Sequence, residues 1–179
     1  MTRSKLLVPA LITCMLLISG DTTTRFTPLT GETAEGRSVT IPDPGHDGPT
    51  VVGMAWGKQA GPVLEDWMEP AYLRFVAKHG LFAQAYDAQV YFVPLFVGAN
   101  KAAYGATLKK FRKSATPEVV DHVVFYKDDP QPYLDGLGMP DKATPYFFVL
   151  DREGRVLYRT EGRFSEAKLE AIEAVLLES

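Results

Sequence analysis

Apolar and polar positions along this chain switch between a period of two and a period near 3.6, and the switches mark out the elements. Phe26-x-x-Leu29-x-Gly31, then Gly36-x-Ser38-Val39-Thr40-Ile41, puts apolar residues on one face at strand spacing and predicts a small hairpin. A turn-forming stretch follows from Pro42 to Pro49. Thr50-Val51-Val52-Gly53-Met54-Ala55-Trp56 is apolar almost without interruption, the pattern of a central strand buried on both faces. Next, Val63, Trp67, Ala71 and Phe75 recur at helical spacing. Pro62 suits the first helical position, and Glu65 with Asp66 suit the positive end of the helix dipole. This helix is expected to bend at Pro70, carry its apolar face to Val76 and stop near Gly80.

Gln89 to Val97 reads as a second strand, in which Pro94 marks an edge, a bulge or the strand's end. Ala102 to Lys113 is helix-like, with Lys109, Lys110, Arg112 and Lys113 on its solvated side; Val119 to Tyr126 reads as a third strand and Gln131 to Leu137 as a further helical turn. The last third is the most sharply patterned. Pro145 to Leu150 is a strand, Asp151-Arg152-Glu153-Gly154 a tight turn and Arg155 to Thr160 the returning strand. Ser165 then caps a helix with Leu169, Ile172, Val175 and Leu176 on one face.

The first twenty residues stand apart from this order. Arg3 and Lys5 precede an uncharged apolar run, Leu6 to Ser19, and then Gly20-Asp21, the arrangement of a secretory signal peptide. The run falls short of the ~20 residues a membrane-spanning helix needs. Leu11-Ile12-Thr13-Cys14 is a loose match to a lipoprotein signal. The expected organisation is therefore a signal peptide over 1–20, a polar leader over 21–25 and one domain over 26–179, exported to the periplasm or another extracytoplasmic space. Of 179 residues 23% are charged and the net charge is −3, without the basic excess that phosphate-backbone binding demands, so nucleic acid is not an expected partner. Cys14, inside the signal segment, is the single cysteine. The exported domain would hold none, and thiol-disulfide exchange, thiol peroxidation and cysteine-ligated copper transfer all need at least one.

Trp56-Gly57-Lys58-Gln59-Ala60-Gly61-Pro62-Val63 is similar to a W-x-x-x-C-G-P-C redox motif with Ala60 and Val63 at the two cysteine positions. With the Phe26–Ile41 hairpin, and with Thr144-Pro145 followed by a second hairpin and Gly162, it resembles the thioredoxin-like superfamily. It is especially similar to the exported thiol-disulfide branch; a weaker similarity is to Atp10-like assembly factors, through Gln59, Val63 and Trp67. The resemblance implies an α/β, thioredoxin-like fold: a central mixed β-sheet flanked by helices, with an N-terminal β-hairpin extension. It also implies a cis Pro145 facing the altered motif. Departures are Ala60, Val63, Gln59 in place of a tryptophan, and Pro70 two residues later than the usual mid-helix proline.

Other chemistry finds little support. His46, His79 and His122 are too scattered for a metal site, and no G-x-S-x-G or glycine-rich phosphate loop occurs. The Lys109–Lys113 cluster reads as a solvated helix face, and Trp56 and Trp67 as packing residues. Two functions follow as expectations. One is a non-catalytic binding or assembly module without cofactor, a monomer or weak dimer. Its groove, flanked by Trp56, Lys58, Gln59, Ala60, Gly61, Pro62, Val63, Thr144 and Pro145, would hold an extended peptide or a segment of a membrane-protein assembly intermediate. The other is a non-redox enzyme using Lys58, or Glu65, Asp66 and Glu69, as acid-base groups.

Overall fold

The computed structural model describes residues 24–77 and 86–179; the signal segment, His79 and the helix end at Gly80 lie outside the described residues. The hairpin forms as its alternation predicts. Strand β1 (Leu29–Thr33) pairs antiparallel with β2 (Ser38–Ile41), and Leu29 and Ile41 face each other, both fully buried. Thr24 and Arg25 join the body: Val156 donates its N–H to the Thr24 carbonyl at 2.9 Å, and Arg25 bridges to Arg155. Strand β3 (Thr50–Ala55) is buried at every residue.

Helix α1 (Ala60–Ala71) contains Pro70 and continues as a π-helical turn over Tyr72–Val76. Proline has no N–H to give to the carbonyl one turn back, and the chain relaxes into wider bonding, with Ala77 donating to the Tyr72 carbonyl at 2.9 Å. Strand β4 (Gln89–Pro94) ends at its proline. A 3-10 segment, Gly98–Ala103, leads into α2 (Tyr104–Ser114), which buries none of its residues completely.

Val119–Tyr126 differs from expectation. Pro117 opens a short helix, α3 (Pro117–Val120), and only Val124–Phe125 forms strand β5. The fixed φ of proline suits a first helical residue, and that local preference prevails over the β-branched valines behind it. Helix α4 (Gln131–Gly136) precedes β6 (Tyr146–Leu150), β7 (Val156–Glu161) and α5 (Glu166–Glu178). Gly154, at φ +76°, closes the turn between β6 and β7. Ser165 stands at the N-cap position of α5 but makes no capping side-chain hydrogen bond.

The strands run in two orders, β2-β1-β5 and β4-β3-β6-β7. They merge through β5, since Val123 and Tyr126 bridge in parallel to Phe92 and Leu95. Strands β3 and β4 are parallel; β3 with β6 and β6 with β7 are antiparallel, so the sheet is mixed. On one face α4 and the hairpin cover Val52, Met54 and Phe148, while α1, α2 and α5 lie over the other. Gly53 decides how α1 seats there. A Cβ at this position would lie 2.4 Å from the Phe147 ring, so only glycine lets that ring cross the strand, where Trp67 stacks on it at 4.0 Å. The Trp67 indole N–H donates to the Gly162 carbonyl at 3.0 Å, which makes Trp67 a core residue as its spacing predicts.

The inner face of α5 is Leu169, Ile172 and Leu176, with Val175 only half-buried and Glu173 buried in its place. Arg74 reaches Glu173 at 2.8 Å and also contacts Glu166, and the Tyr86 hydroxyl donates to Glu173 at 3.1 Å. A carboxylate at 6% exposure thus has two partners, as a buried charge requires. Burial, followed by the Glu173 carboxylate, pushes the Tyr86 hydroxyl well above its ordinary pKa.

Candidate functional site

The loop after β3 sets the start of α1. At Gly57 a Cβ would meet the Lys142 carbonyl oxygen at 1.8 Å, so the 56–59 loop rests directly on the 141–144 loop and needs glycine to do so. Ala60 donates its N–H to the Gly57 carbonyl at 3.1 Å and becomes the first helical residue. Pro62 is therefore the third helical residue, not the first, a place it tolerates because the first four helical N–H groups have no acceptor in the helix. Glu65 and Asp66 move to the second turn and Glu69 to the third, all exposed, so the helix dipole does not account for them.

Ala60 is fully buried and Val63 half-buried, so neither redox position of the motif presents a reactive group. Across the loop contact, Asp141 organises the approach to Pro145. The Thr144 hydroxyl donates to Asp141 Oδ2 at 2.5 Å and the Ala143 N–H to Oδ1 at 2.8 Å; together, in that order, they hold the carboxyl below its ordinary range. Pro145 is buried, and its carbonyl accepts the Gly162 N–H at 2.9 Å. The Thr144–Pro145 bond is trans; the cis peptide bond among the described residues is Ile41–Pro42. This corrects the cis Pro145 that the resemblance implies. Trans is the ordinary state of an X–Pro bond, and the Asp141 turn delivers the chain into β6 without needing the other isomer.

The open space lies on the far side of the 56–62 loop. A groove of about 1240 Å³ runs between α1 with its π-helical turn and α2. Leu95, Phe96, Val123 and Phe125 line it, Leu95 and Phe96 just beyond the carboxyl end of parallel strand β4, where open α/β sheets bind their ligands. Four of the expected groove residues line it: Trp56, Lys58, Gly61 and Pro62. Gln59, Ala60, Val63, Thr144 and Pro145 do not, because the contact between Gly57 and Lys142 separates the 141–145 loop from it.

Residues absent from the expected set supply most of the apolar wall. Leu64, Met68 and Tyr72 form a second stripe on α1, beside the Trp67 stripe, and the π-helical turn adds Leu73, 38% exposed. The signal for them is their i, i+4, i+8 spacing. On the other wall α2 is tied to the hairpin, and among the described residues no hydrogen bond or ion pair joins it to α1: the Tyr104 hydroxyl donates to Glu32 at 3.3 Å, and the Arg112 guanidinium donates to the Ala34 carbonyl. Those ties account for the gap. Trp56, half-buried at one end of the groove, has an indole N–H with no partner among the described residues.

The two described histidines do not converge. His46 bonds the Asp87 carbonyl at 3.1 Å and His122 that of Val90 at 2.9 Å, and among the described residues no group of three His, Cys, Asp or Glu is placed to hold a metal.

No family model and no curated protein matches this chain. Its fold, by contrast, is similar to many solved structures. A putative thiol:disulfide interchange protein DsbE from Chlorobium tepidum is 20% identical, with a TM-score of 0.55 over 87% of this chain and 95% of that one. The exposed lipoprotein thioredoxin Etrx1 from Streptococcus pneumoniae is 14% identical, with a TM-score of 0.59 over 86% and 100%. BsSco, of the Sco family of cytochrome c oxidase assembly proteins, is 12% identical, with a TM-score of 0.55 over 88% and 96%. Those neighbours include thiol:disulfide interchange proteins, whereas Cys14 is the single cysteine here and no redox pair can form. A mixed sheet flanked by helices, an added N-terminal hairpin and these likenesses together give the chain a thioredoxin-like fold.

Proposed function

We propose that this chain is a non-catalytic binding module of the cell envelope, and that it holds a segment of another protein in the groove between α1 and α2. One observation carries the reading. At the start of α1, Ala60 and Val63 offer no sulfur, while the surface beside them opens into a large groove with apolar walls. Fold alone does not set function, and a shaped surface that lacks the redox sulfurs of the motif beside it is suited to recognition. Export is supported by the predicted signal peptide and by a neighbour described as an exposed lipoprotein. An assembly role is supported by the Sco-family neighbour, one of a family of cytochrome c oxidase assembly proteins, and would make a membrane-protein assembly intermediate the client.

Gly61 makes the reading testable, because a Cβ added there meets nothing within 4 Å. A photoreactive benzoylphenylalanine at Gly61, activated in intact cells, should give discrete protein adducts that vanish when Leu73 is also changed to Asp. Absence of adducts from a folded, exported protein would overturn the proposal.

A further inference from the structure

The two walls of the groove are helices, and each presents to the gap what one helix presents to another. From α1 and its π-helical turn come Gly61, Glu65, Met68 and Tyr72, spaced four, three and four residues apart; from α2 and the 3-10 residue before it come Ala103, Thr107, Lys110 and Ser114, spaced four, three and four. That is the seam spacing of helices packed side by side. Small residues at Gly61, Ala103, Thr107 and Ser114 allow a close approach. A three-turn helix about 16 Å long and 10 Å across occupies on the order of 1300 Å³, the scale of the groove.

Charge divides the walls. The α1 side carries Glu65 and Glu69 on the groove, with Asp66 exposed beside them. The α2 side carries Lys110 on the groove, with Lys109 and Lys113 exposed beside it. Lys58, in the loop before α1, and Glu118, in α3, also line the groove with the opposite signs, so it is along the two helices themselves that an occupant meets anions on one flank and cations on the other. An extended strand would leave most of its main chain unpaired here, since beyond the first turn of α1 and the break at Pro70 the walls are helices whose N–H and C=O groups are internally bonded; a helix brings its backbone already satisfied.

We infer that the groove accepts an amphipathic α-helix of a partner protein, apolar face inward, with a basic flank against α1 and an acidic flank against α2. This rests on the binding role proposed above and names the chemistry of the partner.

The test uses the full chain and three synthetic 18-residue amphipathic peptides sharing one leucine seam, with flanks of Lys on one side and Glu on the other, Lys on both, or Glu on both. Fluorescence anisotropy should show the mixed-flank peptide binding about tenfold more tightly than either uniform one at low salt, a margin that shrinks as salt is added. Lys110→Glu should move the preference to the all-Lys peptide, and Glu65→Lys with Glu69→Lys to the all-Glu peptide. Leu73→Asp, at an exposed position, should abolish binding of all three while leaving the circular dichroism melt unchanged. Equal affinity for all three peptides, or none for any, would overturn the helix. So would capture by phosphatidylglycerol vesicles that Lys110→Glu removes without any mixed-flank preference, which would make α2 a lipid-facing element. If photo-adducts form at Gly61 while the peptides show no preference, the helix falls and the binding role stands; if adducts are absent as well, both fall.

Discussion

Helix α1 has two neighbouring stripes, and the molecule treats them in opposite ways. Toward β6 and α5 the stripe of Trp67, Ala71 and Phe75 is sealed: Trp67 stacks on Phe147 and meets Phe164 edge-on at 5.4 Å, and Arg74 closes the end through Glu173. Toward α2 the stripe of Leu64, Met68 and Tyr72 lines the groove: Leu64 and Met68 are buried beneath it, and the half-buried Tyr72 with the exposed Leu73 meets the open space. Both stripes are apolar, so composition does not separate them. The difference lies in the opposing element. Helix α5 follows β7 directly and packs onto α1, whereas α2 is fastened to the hairpin through Glu32 and Ala34. A surface stays available when the element able to cover it is held elsewhere.

Substitutions along the two stripes probe this contrast. Trp67→Ala should have the largest effect, about 3–5 kcal/mol lost in urea unfolding, because it empties a site between Phe147 and Phe164. A loss near the surface level, about 0.5 kcal/mol, would mean that the sealed side does not hold the fold. Arg74→Met strands the Glu173 carboxylate and should cost about 2–4 kcal/mol, with part regained in the Arg74→Met, Glu173→Leu double variant. Gly57→Ala forces the 56–59 and 141–144 loops apart and should cost about 1–3 kcal/mol by thermal denaturation, against nearly nothing for Gly61→Ala.

Alkaline titration tests the same closed side. Tyr86 holds its proton in the folded state above the pH, near 10.0, at which a free tyrosine releases it. Its contribution is therefore complete below pH 10 and is lost as pH rises beyond that value. Tyr133, raised in the same direction chiefly by burial, adds to the loss. Tyr86→Phe should flatten the fall in a series of melts above pH 9, and an unchanged slope would dismiss Tyr86 as its source. On the open side, Leu73→Ala should shift stability by less than about 0.5 kcal/mol, the smallest effect of the series.

Much of the sealed side is legible in the sequence, since it is built from local periodicity. The Val51–Ala55 run, the Trp67–Phe75 spacing and the Leu169–Leu176 face each announce burial, and all are buried but Val175, which is half-buried. Burial of Glu173 is not legible: its partners lie 99 and 87 residues away, and a glutamate on a helix ordinarily faces water. The start of α1 misleads because Pro62 is a good first helical residue, yet the Gly57 turn begins the helix two residues sooner. At Val119 and Val120 side-chain preference points to a strand, while Pro117 and its backbone prevail. The groove eluded the motif for a different reason. W-x-x-x-C-G-P-C describes one loop, whereas the open volume is the distance between α1 and α2, a quantity that no single stretch of chain encodes.

Trp56 gives that distance an optical consequence. The chain has two tryptophans in different surroundings: Trp67 is sealed in the core with its indole N–H bonded to Gly162, and Trp56, half-buried between the groove and the hairpin-side core, has an N–H with no partner among the described residues. Excitation of a Trp67→Phe variant therefore isolates a single emitter at the groove, so that filling the space between the helices changes the colour and yield of the protein's own light.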